Sequence, residues 1–351
     1  MEKKVRIGIV GFGGIARGRH VNELSKCSDA VITAVCDISD RALEKAKEKL
    51  NISATKCYKD YNDLIADPEV DAIEICTPNY LHAEIAIAAL KAGKPINLEK
   101  PIAISYEQAL RVVETEKESK AFGMTCFTYR FFPAVRYAKH LVDKKIIGDI
   151  IGLNVAYLKS SAYWEGRRLE WRFVKEYAGS GVVGDLGVHL IDLAQLLAGD
   201  IVKICATSGI IVKERLTLDG ERVAPVETED SCSFLARFGN GAEGCFHITR
   251  CAIGHANTIR YDVYGSKGSL SFDLNDPSVL TICVGEGDPK DYVTVTEKVP
   301  ERFYLTQEEA FVKAVKGECP DLFPTIERGA QCQKVVDAIM KSADEERWIN
   351  V

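Results

Sequence analysis

The chain has 351 residues, 46% of them hydrophobic and 27% charged, which is long for one core and gives two globular domains as the natural reading. A formal net charge of −6 gives no general attraction to nucleic acid or to acidic membranes. No apolar run approaches bilayer length, and Met1-Glu2-Lys3-Lys4 leads into no cleavage pattern, so a cytoplasmic protein with no membrane partner is expected.

Val5–Val10 is a short apolar run rich in β-branched residues, which predicts a buried strand. It runs into Gly11-Phe12-Gly13-Gly14-Ile15-Ala16, and a helical pattern follows over 15–26. This is G-x-G-x-x-A between strand and helix, the phosphate-binding turn of a dinucleotide fold. Gly11 permits the tight turn, Gly13 lets the backbone approach a pyrophosphate, and Ala16 lets the helix pack on the strand. The helix start offers free N–H groups and the positive end of its dipole. A second apolar run, 31–36, ends in Asp37, at the distance where an acid binds the adenosine ribose and repels a 2′-phosphate. An aspartate there could also cap the following helix, as Ser39 or Asp40 could. The expected cofactor is NAD, with NADP left open by the nearby Arg41.

Helices at 40–50, 60–66, 81–92 and 105–120 alternate with strands at 71–76, 94–98 and 121–128, as a doubly wound parallel sheet requires. The strand ends carry Thr77-Pro78-Asn79-Tyr80-Leu81-His82 and Glu99-Lys100-Pro101, where ligands bind in open α/β sheets. His82 is placed on the cofactor side or in packing. Lys100 reads either as a hydrogen-bond donor or base at a reacting hydroxyl, or as half of a surface pair with Glu99.

Beyond Thr128 the pattern changes. A helix is expected at 131–142, a strand at 148–158 and a helix at 184–197. Alternating runs follow at 202–213, 231–238, 242–250, 258–264, 268–272, 279–284 and 292–296, and two helices close the chain at 306–316 and 326–342. This predicts a large, mostly antiparallel open sheet with helices on one face. The domains expected are therefore 1–128, a doubly wound α/β domain, and 129–351, an α/β substrate and assembly domain whose last helix returns to the first. The uncovered sheet face is expected to be apolar, with Val212, Phe234, Leu235 and Phe246, and to bury itself in a homodimer or homotetramer.

The densest polar cluster is Gly184-Asp185-Leu186-Gly187-Val188-His189-Leu190-Ile191-Asp192. Spacings of four and three put Asp185, His189 and Asp192 on one helix face. An acid four residues before a histidine orients the ring and stabilises its charged form. No metal is expected, since three ligands on one helix with no further Cys/His cluster is thin. The 12 cysteines contain no C-x-x-C pair and read as reduced, buried thiols. In the aromatic stretch 164–172, Trp171 and Arg172 are substrate candidates, because rings stack on sugar faces and arginine suits anions; a self-neutralised loop is the alternative.

Taken together, the glycine turn, Thr77–His82, Glu99-Lys100-Pro101 and Gly184–Asp192, in this order, resemble the family of glucose–fructose oxidoreductase, inositol dehydrogenase and MocA. The resemblance implies a Rossmann domain and a second α/β domain whose sheet makes subunit contacts. It implies hydride exchange between a nicotinamide and a CH–OH group of a sugar, inositol or other polyol. The family's catalytic lysine maps to Lys100, and its aspartate and histidine to Asp185 and His189. Cofactor contacts are expected from Gly11 to Ala16, Asp37, Thr77, Pro78, Asn79, His82, Glu99 and Lys100. Substrate contacts are expected from Lys100, Arg130, Trp171, Arg172, Asp185 and His189. Thr128 stands where many members carry asparagine. A sugar–sugar oxidoreductase or a glycosidase retaining NAD would use the same parts, and a non-catalytic NAD-binding regulator is the rival reading.

Overall fold

A computed structural model describes residues 3–50, 56–164 and 166–351. The chain divides into two compact units, one of residues 1–127 with 305–331, the other of 128–304 with 332–351.

The first unit is built on a six-stranded parallel sheet. Its strands are β1 (Val5–Val10), β2 (Ala30–Cys36), β3 (Cys57–Tyr58), β4 (Ala72–Ile75), β5 (Ile96–Leu98) and β6 (Gly123–Thr125), in the order β3-β2-β1-β4-β5-β6. β4, β5 and β6 are buried along their whole length because helices cover both faces, which is why they read as continuous apolar runs. The helices are α1 (Val21–Leu24), α2 (Asp40–Leu50), α3 (Tyr61–Ala66), α4 (Asn79–Lys91) and α5 (Tyr106–Glu118). Side chains start two of them: Asp60 accepts from the Asn62 N–H at 2.8 Å and Ser105 from the Gln108 N–H at 3.3 Å. The predicted helix over 15–26 begins instead as a π-turn, Ala16–His20, and becomes α-helical only in α1. The strand expected over 121–128 is shortened to β6, because a 3₁₀ turn takes Thr128–Phe131.

The second unit carries a nine-stranded sheet. Its strands are β7 (Ile150–Leu158), β8 (Ile201–Gly209), β11 (Ser231–Phe238), β12 (Glu243–Thr249), β13 (Thr258–Gly265), β14 (Gly268–Asp273), β15 (Val279–Val284), β16 (Val293–Lys298) and β17 (Ile349–Asn350). The order is β16-β15-β14-β13-β7-β12-β11-β8-β17, antiparallel except for the β12–β7 pair. Two short strands, β9 (Glu214–Leu216) and β10 (Val223–Pro225), pair outside it. The sequence reading ran β8 on to residue 213 and omitted β9, β10 and β17, which are too short to establish a period. Helices α6 (Pro133–Asp143), α7 (Lys175–Ala178) and α8 (Val188–Ala198) follow one another toward this sheet; α9 (Gln307–Val315) belongs to the first unit, and α10 (Ile326–Glu345) carries the chain from Gln331 to Cys332.

The alternation along β11 and β12 corrects the expected apolar face. Phe234 and Phe246 point into the core and stack at 4.3 Å between ring centroids, while Leu235 is half exposed and Val212 half-buried. The opposite face of these strands carries Ser233, Leu235, Arg237, Glu243, Cys245 and His247, with Ser233 and His247 hydrogen-bonded at 2.9 Å. A second correction concerns apolar length. Lys175–Ala198, which holds α7 and α8, contains an 18-residue window with a mean hydropathy of 1.4, apolar enough to cross a bilayer by composition; 89% of that window is buried inside the protein. A helix surrounded by packed elements is apolar all round for that reason. The twelve cysteines form no disulfide among the described residues.

Candidate active site

In the first unit the glycine turn sits at the carboxyl end of β1. Gly11 has φ +89°, and a Cβ there would lie 2.8 Å from the carbonyl carbon and oxygen of Cys76, so only glycine passes the end of β4. A Cβ on Gly13 or Gly14 would meet nothing within 4 Å. Open space in front of two bare backbone positions, at the start of a helical turn, is the shape a diphosphate needs. Phe12 is buried, so it offers its backbone rather than its ring, while the Ile15 side chain is partly exposed. Asp37 accepts the Phe12 N–H on Oδ2 and the Ser39 N–H on Oδ1, each at 2.8 Å. Its carboxylate therefore ties the glycine turn to the end of β2, and each oxygen keeps a second lone pair for a ribose hydroxyl. Ser39, not Asp37, approaches the first turn of α2, with its Oγ 3.4 Å from the Ala42 nitrogen.

The loop after β4 brings Thr77, Pro78 and Asn79 to the same sheet edge, with Pro78 leading into α4. The Thr77 hydroxyl is buried with no hydrogen-bond partner among the described residues, as a group waiting for a ligand is. His82 places Nδ1 2.7 Å from the Pro101 carbonyl and Nε2 2.8 Å from the Thr77 carbonyl, and its burial lowers its pKa. It holds the Thr77 loop to the Lys100-Pro101 turn, whose peptide bond is cis. Glu99 at the end of β5 is buried and Lys100 half-buried. Glu99 Oε1 lies 3.0 Å from His20 Nε2, and its Oε2 accepts the Lys100 backbone N–H at 3.1 Å. An orphaned hydroxyl, an open cradle and an acid at the ribose position together fit a dinucleotide.

In the second unit Asp185 lies in a π-turn, Val183–Gly187, and His189 in the first turn of α8. The buried Glu229 carboxylate starts this helix by accepting the Gly181 N–H at 2.8 Å and the Val183 N–H at 3.0 Å. Gly187 lets it lie close to the sheet, since a Cβ would come 2.7 Å from Ile248 Cδ1. The widened turn replaces the regular one that the four-residue spacing assumes. Asp185 is half-buried and His189 buried. The His189 ring lies 4.6 Å from the Tyr129 ring, centroid to centroid, tilted by 58°. The Tyr129 and Tyr157 hydroxyls are 2.8 Å apart, and Tyr157 donates to Asn257 Oδ1 at 3.0 Å. Burial, then Tyr129 and Asp185, push the Tyr157 phenol upward, so it stays neutral. The sequence reading missed Tyr157 and Asn257; the inward register of Tyr157 in β7 was the only signal available.

Two expected substrate contacts, Arg130 and Arg172, and Asp192 of the polar cluster have partners of their own. Asp192 is fully buried and binds Arg130 in a bidentate pair, with Arg130 Nε 2.7 Å from Oδ2. Arg130, expected among substrate contacts, is thereby engaged in the core of its unit. Arg172 lies over the Trp171 ring at 4.3 Å and 3.9 Å from Glu170, which neutralises it locally. The anchor of that segment is Phe173, fully buried under the guanidinium groups of Arg167, Arg215 and Arg250 at 4.9, 4.3 and 4.6 Å. Glu165 of the same segment lies outside the described residues.

Residues 5–126 match the model of an oxidoreductase family with an NAD-binding Rossmann fold, GFO_IDH_MocA, and residues 135–271 match the GFO/IDH/MocA C-terminal domain. The chain belongs to the GFO/IDH/MocA oxidoreductase family. It is 32% identical over 324 residues to a levoglucosan dehydrogenase of Pseudarthrobacter phenanthrenivorans, covering 83% of each chain. It is 28% identical over 350 residues to a myo-inositol 2-dehydrogenase of Thermotoga maritima, covering 99% and 98%. A solved levoglucosan dehydrogenase in complex with NADH and L-sorbose superposes with a TM-score of 0.90 at 27% identity, over 99% of both chains. The sugar and inositol dehydrogenases among its relatives make the chain one of a family of NAD-binding oxidoreductases.

Proposed function

We propose that this protein oxidises a CH–OH group of a sugar, inositol or related polyol, with Lys100, Asp185 and His189 as its reacting side chains. The observation that carries the reading is the His189 imidazole, buried and backed by an aromatic ring, on a helix of a chain whose other unit has the dinucleotide cradle. NAD, when bound, supplies the hydride acceptor. His189 takes the proton of the substrate hydroxyl, and Asp185 stabilises the charge the ring gains. Lys100 is the hydrogen-bond donor suited to a substrate oxygen on which negative charge develops. Trp171, half exposed, offers a face to a sugar ring. Selectivity for NAD over NADP comes from the Asp37 carboxylate. The relatives named for levoglucosan and inositol support a small polyhydroxylated substrate.

The same reading makes the protein a cytoplasmic homo-oligomer, with the sheet face that carries Leu235 and His247 meeting its copy. The test is to supply NAD with a panel of anhydrosugars, inositols and aldoses and follow absorbance of the reduced cofactor. Turnover on at least one member is expected; silence across the panel with intact NAD binding defeats the proposal.

A further inference from the structure

The first unit holds a cluster of ionisable groups that the proposed chemistry does not use. His20 is fully buried in the π-turn that follows the glycine cradle. Its two ring nitrogens have different surroundings. Nε2 is hydrogen-bonded to Glu99 Oε1 at 3.0 Å, and since a carboxylate only accepts, the ring carries a proton there. Nδ1 makes no hydrogen bond, although Glu308 Oε1 lies 2.9 Å and Glu74 Oε2 3.0 Å from it. Glu74 and Glu308 are fully buried as well, and Glu74 Oε1 is likewise without a hydrogen-bond partner.

A neutral ring with its proton on Nε2 directs a lone pair from Nδ1 toward two carboxylate oxygens. Three electron-rich atoms then converge in a fully buried place, and no hydrogen bond joins the ring to either acid. Such a cluster is unfavourable unless a positive charge stands among its members. Among the described residues no lysine or arginine pairs with Glu74 or Glu308, and the nearby Glu23 is met by Arg19 at 3.0 Å.

The surroundings suit metal ligands. A metal-bound histidine donates its other ring N–H to a carboxylate or carbonyl, as Nε2 does to Glu99. The two carboxylates are held from behind: the fully buried Asn97 donates to Glu74 Oε2 at 2.8 Å and to Glu308 Oε2 at 3.0 Å. The Cys126 thiol donates to Asn97 Oδ1 at 3.1 Å, which sets the orientation of that amide. Cys126 also converges on His20 with Glu99, but on that side each hydrogen is already shared, so the vacant lone pair is at Nδ1. The spacing is informative too. Bonds of about 2.1 Å to adjacent corners of an octahedron put donor atoms about 3.0 Å apart, against about 3.4 Å for a tetrahedron. The separations of 2.9 and 3.0 Å match the octahedral edge. One imidazole and two carboxylates suit a first-row divalent ion such as Mn²⁺ or Fe²⁺, whose charge balances the two acids.

We propose that His20 Nδ1, Glu74 and Glu308 bind one divalent transition-metal ion, with Glu99 and Asn97 orienting the ligands. The ion joins the turn after the glycine cradle to β4 and to α9, a structural role separate from the proposed catalysis. Its ligands come from three distant segments, which is why local spacing led to the expectation of no metal.

The test uses the full chain, produced without a metal-affinity tag in medium containing MnCl₂ and dialysed against a chelator so that only a buried ion remains. Elemental analysis is expected to find one divalent transition-metal ion per chain. Protein labelled with ¹⁵N-histidine and loaded with Mn²⁺ is expected to show coupling of the ion to a histidine nitrogen by electron spin-echo spectroscopy. The Glu74→Gln/Glu308→Gln double variant is expected to lose the ion. Wild type unfolded and refolded in chelator is expected to melt about 4 °C or more below the same protein refolded with MnCl₂. A wild type with no ion, both as purified and after refolding with MnCl₂, overturns the proposal. So does an ion with no coupling to histidine nitrogen, or one that the double variant retains. Equal melting temperatures overturn the structural role. If the double variant does not fold, the stoichiometry and nitrogen coupling of the wild type decide. None of these measurements involves turnover, so failure of the proposed dehydrogenase activity is separately visible.

Discussion

Asp37 shows how one side chain serves two purposes. It organises the glycine turn through the Phe12 and Ser39 N–H groups, and each of its oxygens keeps a lone pair for the ribose proposed to bind there. Asp37→Ala should weaken NAD binding and narrow the preference over NADP, read by titrating both cofactors; an unchanged preference would move selectivity to Arg41. His189→Ala should lower kcat by about a hundredfold to ten-thousandfold, the range of a lost general base, while the fold, followed by circular dichroism, persists. Arg130→Ala should act on stability instead. It removes the bidentate guanidinium partner of Asp192 in the core, at a cost of about 3–5 kcal/mol, measurable as a drop in the denaturant midpoint. At the surface Arg6 binds Asp71 at 2.7 Å and holds its carboxyl down to about 2. Because the folded pKa lies below the unfolded value, this contribution is complete above about pH 4 and is lost as pH falls through about 2. Asp71→Asn should flatten that part of the acid-unfolding profile.

Elements are placed by their ends as much as by their faces. α9 starts with a capping box: Thr306 Oγ1 receives the Glu309 N–H at 3.2 Å, and Glu309 Oε2 receives the Thr306 N–H at 2.9 Å. Thr306→Ala should cost about 1 kcal/mol of stability, read as a lowered thermal midpoint, and the same cap sets the position of the fully buried Glu308. The helix of His189 is fixed from three sides. Glu229 holds its first N–H groups, Gly187 admits Ile248, and the Tyr261 hydroxyl donates to the Leu190 carbonyl at 3.0 Å. Glu229→Gln keeps the shape but weakens charge-assisted bonds to the Gly181 and Val183 N–H groups. It should therefore reduce kcat through displacement of His189 more than it alters KM for NAD.

At the scale of the molecule, the sheet face opposite Phe234 and Phe246 is mixed rather than apolar: serine, histidine and an ion-pairing Arg237–Glu243 surround Leu235. Mixed faces of this kind suit a symmetric contact between copies. Light scattering on a size-exclusion column should give a multiple of 38.7 kDa, and Leu235→Arg should shift it toward one chain. A wild-type mass of one chain at micromolar concentration would defeat the assembly proposal.

The parallel sheet, its glycine turn, the Asp37 position and the order of strands and helices were legible in the sequence, because each rests on local spacing and periodic apolar residues. The family followed from four motifs read in order. What sequence left undecided involves partners far apart along the chain. Phe234 and Phe246 looked available for an exposed face, and only the register of the nine-stranded sheet turns both inward. Arg130 was expected among substrate contacts and Asp192 on the face of His189, and folding joins the two in a buried pair. Nothing in the local sequence sets His20 apart, yet Glu74, Glu99 and Glu308, from two strands and a helix near the chain's end, come within 3.0 Å of its ring. Local sequence determines which backbone shapes are accessible at each step; which charges are brought together in the interior is decided only when distant segments pack.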